Sequence, residues 1–182
     1  MIRGVKIHGN PILEKKSELI KKIDSGIKRL VEDMMETMYH YNGVGLAAPQ
    51  IGESWRIVTV DPRDPQFEAR ALINPKITSC IGEITGEEGC LSLPNLYGQV
   101  KRAEEVSITY SDLEGKEHKE VWKGFPARIV QHEIDHINGI LFIERLDDAQ
   151  KEALREQIKT LKKERKELEK IGPDIVDKTR GI

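Results

Sequence analysis

The sequence predicts a single α+β domain. Mostly antiparallel β structure should pack around a central helix carrying His132-Glu-Ile-Asp-His136, with further helices near both ends. Three observations carry that reading. Apolar residues recur at helical spacing in two blocks, residues 27–38 and 154–168. Between them lie short β-prone runs separated by Gly- and Pro-containing turns, the pattern of hairpin-linked strands. The length, 182 residues, fits one domain able to bury a core without staples.

Composition narrows the class. The chain has 29 basic and 31 acidic residues, a net charge of -2, with 38% hydrophobic and 33% charged residues. That describes a soluble globular protein. No stretch approaches the roughly 20 apolar residues of a spanning helix, so no membrane partner is expected. Two cysteines cannot build a disulfide framework. The balanced charge does not mark a sequence-specific nucleic-acid binder. The segment Met1–Pro11 has no apolar signal region, so the expected compartment is the cytoplasm, where thiols stay free.

The elements follow in order. Residues 1–22 read as an extended start and a short helix. Ile27, Leu30, Val31, Met34, Met35 and Met38 share one helical face, with Asp24 or Ser25 as cap and Asn42-Gly43 as stop. Gly43–Gly52 has no period and reads as a glycine-rich loop. Strands are expected at Trp55–Asp61 and Ala71–Ile77, with Pro75 favouring an edge or a bend. A Gly- and Glu-rich stretch, Ile81–Pro94, surrounds Cys90. Further strands fall at Gln99–Arg102, Val106–Tyr110 and Lys119–Lys123, the last two joined by a turn at 112–115. A helix runs from Gly124 to about Asn138-Gly139, with Pro126 in its first turn, where a missing N–H costs nothing. After an apolar run, Ile140–Ile143, a charged helix spans Asp147 to Lys170 and stops at Gly172-Pro173. Its apolar stripe is Leu154, Ile158, Leu161 and Leu168. The whole chain, 1–182, reads as one domain, with 147–182 as charged helix and tail.

The chemistry concentrates at His132-Glu133-Ile134-Asp135-His136. On a helix, residues i and i+4 lie on one face, so both imidazoles can share a metal ion beside Glu133. A catalytic site needs a third ligand and an open position. The longer HExxHxxGxxH pattern holds through Gly139 and then fails at Phe142. Cys90 is the better third ligand, because a thiolate with two imidazoles suits zinc or iron(II). Its neighbour Gly89 lets backbone approach a ligand closely. Spacing alone also permits Glu152 and Glu156. Cys80 reads as a buried small hydrophobe, and His8, His40 and His118 as surface or locally hydrogen-bonded residues.

Three segments together are specific. Gly43-Val-Gly-Leu-Ala-Ala-Pro-Gln50, Glu88-Gly-Cys-Leu-Ser92 and Gln131-His-Glu-Ile-Asp-His136 resemble the signature segments of peptide deformylases, in the same order and separation. The resemblance covers roughly residues 5–145. It departs at Ile137, where the family often has Leu, and at Phe125-Pro126, which replaces a Leu-rich pair. Tyr97 and Gly98 stand where some relatives carry a basic residue.

The resemblance implies removal of the formyl group from N-formylmethionine on new polypeptides. It implies one Fe2+ per chain, with Ni2+, Co2+ or Zn2+ as substitutes, held by Cys90, His132 and His136. A metal-activated water would attack the formyl carbonyl, with Glu133 as general base and then acid. The Gln50 side chain and the Leu91 backbone N–H would stabilise the oxyanion. Gly45 backbone would hold the peptide. Val44, Ile129, Phe125 and the stem of Glu88 would form the methionine pocket. Arg102, Glu88 and Asp135 would orient the ligands, although Arg102 and Glu88 read equally as an ordinary ion pair. Two other readings compete: a different metallopeptidase using Glu152 or Glu156, and a non-enzymatic module with a structural metal. The charged C-terminal helix reads first as a solvated, ion-paired helix. The alternative is contact with the ribosome, where substrate emerges.

Overall fold

The computed structural model describes residues 1–171. After an extended start, helix α1 (Ser25–His40) begins where the Asp24 carboxylate accepts from Ile27 N–H at 3.1 Å. Leu30, Val31, Met34 and Met38 are buried, as their spacing predicts. Strands β1 (Gly45–Ala47), β2 (Ile57–Val60) and β3 (Arg70–Ile81) follow. Then come β4 (Ile84–Cys90), β5 (Leu93–Arg102), β6 (Glu105–Ser111) and β7 (Glu117–Lys123). Helices α2 (Gly124–Ile137) and α3 (Asp148–Ile171) complete the described residues. One antiparallel sheet has the order β1-β2-β3-β6-β7, and β4-β5 is a separate hairpin. Helix α2 packs against the first sheet.

Five expectations need correction. The short helix within residues 1–22 is only a 3-10 turn at Pro11–Glu14. Backbone there bonds outward instead, Lys6 N–H to Gln50 O at 2.7 Å and His8 N–H to Ser92 O at 2.8 Å. The glycine-rich loop contains β1 and a 3-10 turn at Ala48–Ile51. Backbone buried this deeply must pair its polar groups. The stretch around Cys90 is a strand, and its partner β5 begins six residues before the expected Gln99. Along β5, Leu96, Gly98, Val100 and Arg102 face inward and Asn95, Tyr97, Gln99 and Lys101 outward. A glycine and an arginine on the inner face hid the alternation. Cys80 is exposed, because the end of β3 outruns its cover.

His8 is the fifth correction. It is buried, neither ring nitrogen has a partner among the described residues, and burial pulls its pKa to about 4. His40 is exposed and His118 meets Asp112 at 2.7 Å, both as expected. The bend at Pro75 is real. Asn74 adopts φ 53°, the register shifts there, and the Asn74 amide exchanges bonds with Ile20 backbone at 2.8 and 2.9 Å.

Helix α3 lies back on the domain. Leu154, Ile158 and Leu161 pack on Leu93, Leu96, Val100 and Phe142. Glu169 accepts from Ile7 N–H at 3.1 Å and Asn10 Nδ2 at 2.9 Å. The expected stop at Gly172-Pro173 is outside the described residues.

Candidate metal centre

Helix α2 is buried along nearly its whole length, from Ala127 to Ile137. Gly124 starts it at φ +61°, a left-handed angle that favours glycine. Gln131 then clamps it to Ala103, donating to the carbonyl and accepting from the N–H, each at 2.9 Å. This fixes the face that carries His132 and His136. Their Nε2 atoms stand 3.2 Å apart. Cys90 reaches them from the β4–β5 turn, where the register shifts between Gly89 and Cys90. Its Sγ is 3.2 Å from His136 Nε2. All three ligand atoms lie within 4.8 Å of one another.

The donor set fits a divalent cation. Metal–ligand bonds of about 2.0–2.3 Å place tetrahedral neighbours roughly 3.3–3.8 Å apart. Burial pushes the Cys90 thiol up to about 12 and pulls His136 well below its ordinary value. A cation among them would offset the desolvation and let the thiolate form. His132 Nδ1 is held at 2.9 Å by Glu88 Oε2, which turns Nε2 toward the other two ligands.

Around the ligands the remaining groups fall into place. Glu133 is buried and its Oε2 has no hydrogen-bond partner among the described residues. Burial holds its pKa well above the carboxylate range. Gln50 Oε1 accepts from Ala47 N–H at 2.8 Å, so Nε2 faces Cys90 Sγ and Ser92 Oγ, both at 3.5 Å. Leu91 is buried beside Cys90 on the hairpin turn. A Cβ at Gly45 would run into the Glu133 carboxylate and sit 2.8 Å from Ile129 Cγ2. Ile129 is fully buried, Val44 half-buried, and Phe125 45% exposed at the start of α2. Glu152 and Glu156 lie on exposed α3, paired with Arg155 and Lys159, and form no part of the ligand cluster.

Glu88, Arg102 and Asp135 form a buried chain. Arg102 grips both Glu88 oxygens at 2.9 Å and reaches Asp135 at 2.5 Å. Sequence reasoning missed two further cations. Arg128 Nη1 donates to Glu88 at 2.8 Å, and Nη2 donates to Ile84 O at 2.8 Å. Arg145 donates to Asp135 at 2.6 and 3.1 Å. Arg128 was findable, because it sits four residues before His132 on the same helical face.

Burial alone would raise the pKa of Glu88, but hydrogen bonds from Arg102 and His132 outweigh it and hold the carboxyl well below its usual range. Its contribution to stability is therefore full above the ordinary carboxylate pKa and is lost as pH falls below it. Glu88→Gln is expected to cost about 3–5 kcal/mol near neutrality, because it leaves buried cations without their partner. Urea melts of both metal-free proteins should show that difference shrinking at roughly pH 3–4. A difference that widens in acid contradicts the assignment.

Comparison with known proteins follows the same lines. A family profile described as polypeptide deformylase matches residues 2–152. A peptide deformylase of Thermodesulfovibrio yellowstonii is 44% identical over 163 residues, covering 88% of this chain and 99% of the relative. One of Dictyoglomus thermophilum is 46% identical over 163 residues, covering 90% and 100%. The crystal structure of peptide deformylase from Thermus thermophilus superposes with a TM-score of 0.83 at 43% identity, covering 90% of this chain and 99% of that one. A plant peptide deformylase structure gives 0.86 at 34% identity, covering 91% of each.

Proposed function

The chain belongs to the polypeptide deformylase family, and from that membership we propose how its residues divide the work. The enzyme is a metal-dependent hydrolase that removes the formyl group from newly made polypeptides. Cys90, His132 and His136 hold the ion. When bound, the cation supplies a Lewis acid that polarises the formyl oxygen and acidifies a water. We assign Fe2+, one per chain, with Ni2+, Co2+ or Zn2+ as substitutes. The thiolate and imidazole donors suit that group of metals.

Glu133 takes the proton of the attacking water on its carboxylate, whose Oε2 is buried and has no partner among the described residues. It then delivers that proton to the departing amine. The Gln50 amide is already turned by Ala47, so its Nε2 donates to the forming oxyanion together with Leu91 N–H. β1 is the edge strand of its sheet, with β2 as its one neighbour there. Its free side at Gly45 accepts an extended formyl-methionyl peptide by strand addition. Val44, Ile129, Phe125 and the stem of Glu88 surround the methionine side chain, with Gly89 leaving room for backbone approach. The observation that carries this reading is the unpartnered Glu133 oxygen beside three converging ligand atoms. The test is formate release from a formyl-Met tripeptide by protein loaded with Fe2+ without oxygen. A fully loaded protein that releases none refutes it.

Gly45 makes a sharper local test. Gly45→Ala pushes a methyl against Glu133 and Ile129. The variant is expected to lose roughly tenfold to a hundredfold in kcat, since small misplacements of catalytic groups cost about that much. Metal content should not change. Wild-type kcat in the variant would show that the base tolerates displacement.

No helix among the described residues is long and apolar enough to cross a membrane. We place the enzyme in the cytoplasm with its nascent substrates. On α3, Arg155, Lys159 and Lys170 are paired with carboxylates, whereas Lys163 and Lys166 are exposed and make no ion pair among the described residues. A ribosomal contact runs through those two lysines. Reversing both charges is expected to lower co-sedimentation with ribosomes, and unchanged co-sedimentation rejects the contact.

A further inference from the structure

We propose that a groove behind α2 binds a small anion carrying two or more phosphate groups. The groove is a cavity of about 700 Å³ whose wall includes Ile134 and Asp135. Ile134 is two residues from either metal-binding histidine, about half a helical turn round α2, so the groove lies across the helix from the metal.

Its charge is lopsided. Lys16, Arg56, Lys76 and Arg145 line it, and Asp135 is its one acidic residue. That acid is already taken by Arg102 at 2.5 Å and Arg145 at 2.6 Å. Lys16 and Lys76 are exposed and make no ion pair among the described residues. Arg56 is half-buried and donates only to neutral acceptors, Asn138 Oδ1 at 2.9 Å and the carbonyls of Ile137 and Pro75 at 3.3 and 3.4 Å. The wall thus carries four cations against one acid, in a chain whose net charge is -2. The C-terminus of α2 subtracts only about half a charge. Concentrated positive charge in a concave wall raises the local anion concentration.

A second feature is independent of charge. Ser17 lines the groove and is buried, and among the described residues its hydroxyl has no hydrogen-bond partner. Buried hydroxyls are normally satisfied, so this one is an uncommitted donor just beneath the groove surface, reached by a ligand only if the wall gives slightly. A single phosphate is too small to engage cations drawn from four separate segments of chain. The volume is in the range of small-molecule pockets, which sets the size of the ligand. A diphosphate, free or as the end of a nucleotide, meets both requirements.

The test is calorimetric titration of metal-loaded protein with inorganic pyrophosphate and with ADP, in phosphate-free buffer. Wild type is compared with Lys16→Gln/Lys76→Gln. Both lysines are exposed and away from the metal, so folding and formate release should be unchanged. Binding is expected in wild type and at least tenfold weaker in the double variant. ADP binding tighter than pyrophosphate identifies a nucleotide, its base against Leu19 and Ile77, and equal affinity identifies the free phosphoanion. No binding to wild type overturns the proposal. So does binding that survives the double substitution, which places the anion at the metal or on α3.

Discussion

Glu133→Ala is expected to release formate at no more than about a hundredth of the wild-type rate, because a positioned acid–base group typically contributes 10²–10⁴-fold. Metal content, measured on the same sample, should match wild type, since the atoms proposed to hold the ion belong to Cys90, His132 and His136. The physical case is the state of the carboxylate. Glu133 is enclosed, its Oε2 lacks a partner among the described residues, and burial raises its pKa well above the carboxylate range. A polar group left in that condition costs stability, so its presence needs a reason other than folding. A water and a cation provide one. The same reasoning gives the expected sign for stability. Glu133→Gln keeps the shape without the acid, and its metal-free form should melt no lower than metal-free wild type. A variant that melts lower and still turns over would make Glu133 a structural residue and leave the base unassigned.

The site was legible in sequence to the extent that it rests on one helix. The 3.6-residue period places His132 and His136 on one face whatever surrounds them, and Asp24 marks the start of α1 by its own side-chain chemistry. Cys90 is a different matter. It meets the histidines only because β4 and β5 form a long hairpin, and the pattern of that hairpin is hidden by Gly98 and Arg102 on its inner face. Donor chemistry put Cys90 forward as third ligand, and the resemblance to deformylases then supported it where periodicity could not. Arg128 and Arg145 were missed because charged residues on helices and turns usually meet solvent. Here Arg128 is drawn inward by the fully buried Glu88. His8 and Cys80 went astray in opposite directions. Each depends on where a neighbouring layer ends, which no local pattern records.

Cys90→Ala should then separate the readings that spacing left open. In the fold, Cys90 Sγ stands 3.2 Å from His136 Nε2, and among the described residues no carboxylate joins the cluster. Removing the thiolate leaves two imidazoles, which is one ligand short of a catalytic site. Metal affinity should fall by orders of magnitude, and with it formate release. The measurement is metal bound per chain after passage over a weak chelating resin, wild type beside variant. Loss of packing does not account for such a result, since a buried cysteine to alanine change removes one sulfur atom and both helices stay anchored elsewhere, α2 by Gln131 and α3 by Glu169. Unchanged circular dichroism with metal lost is therefore the expected pair of results. A variant that keeps one equivalent of metal would require another third ligand. Glu152 and Glu156 would have to leave their surface partners and cross from α3 to reach it, so retention would overturn the arrangement of the centre and not merely one residue's role.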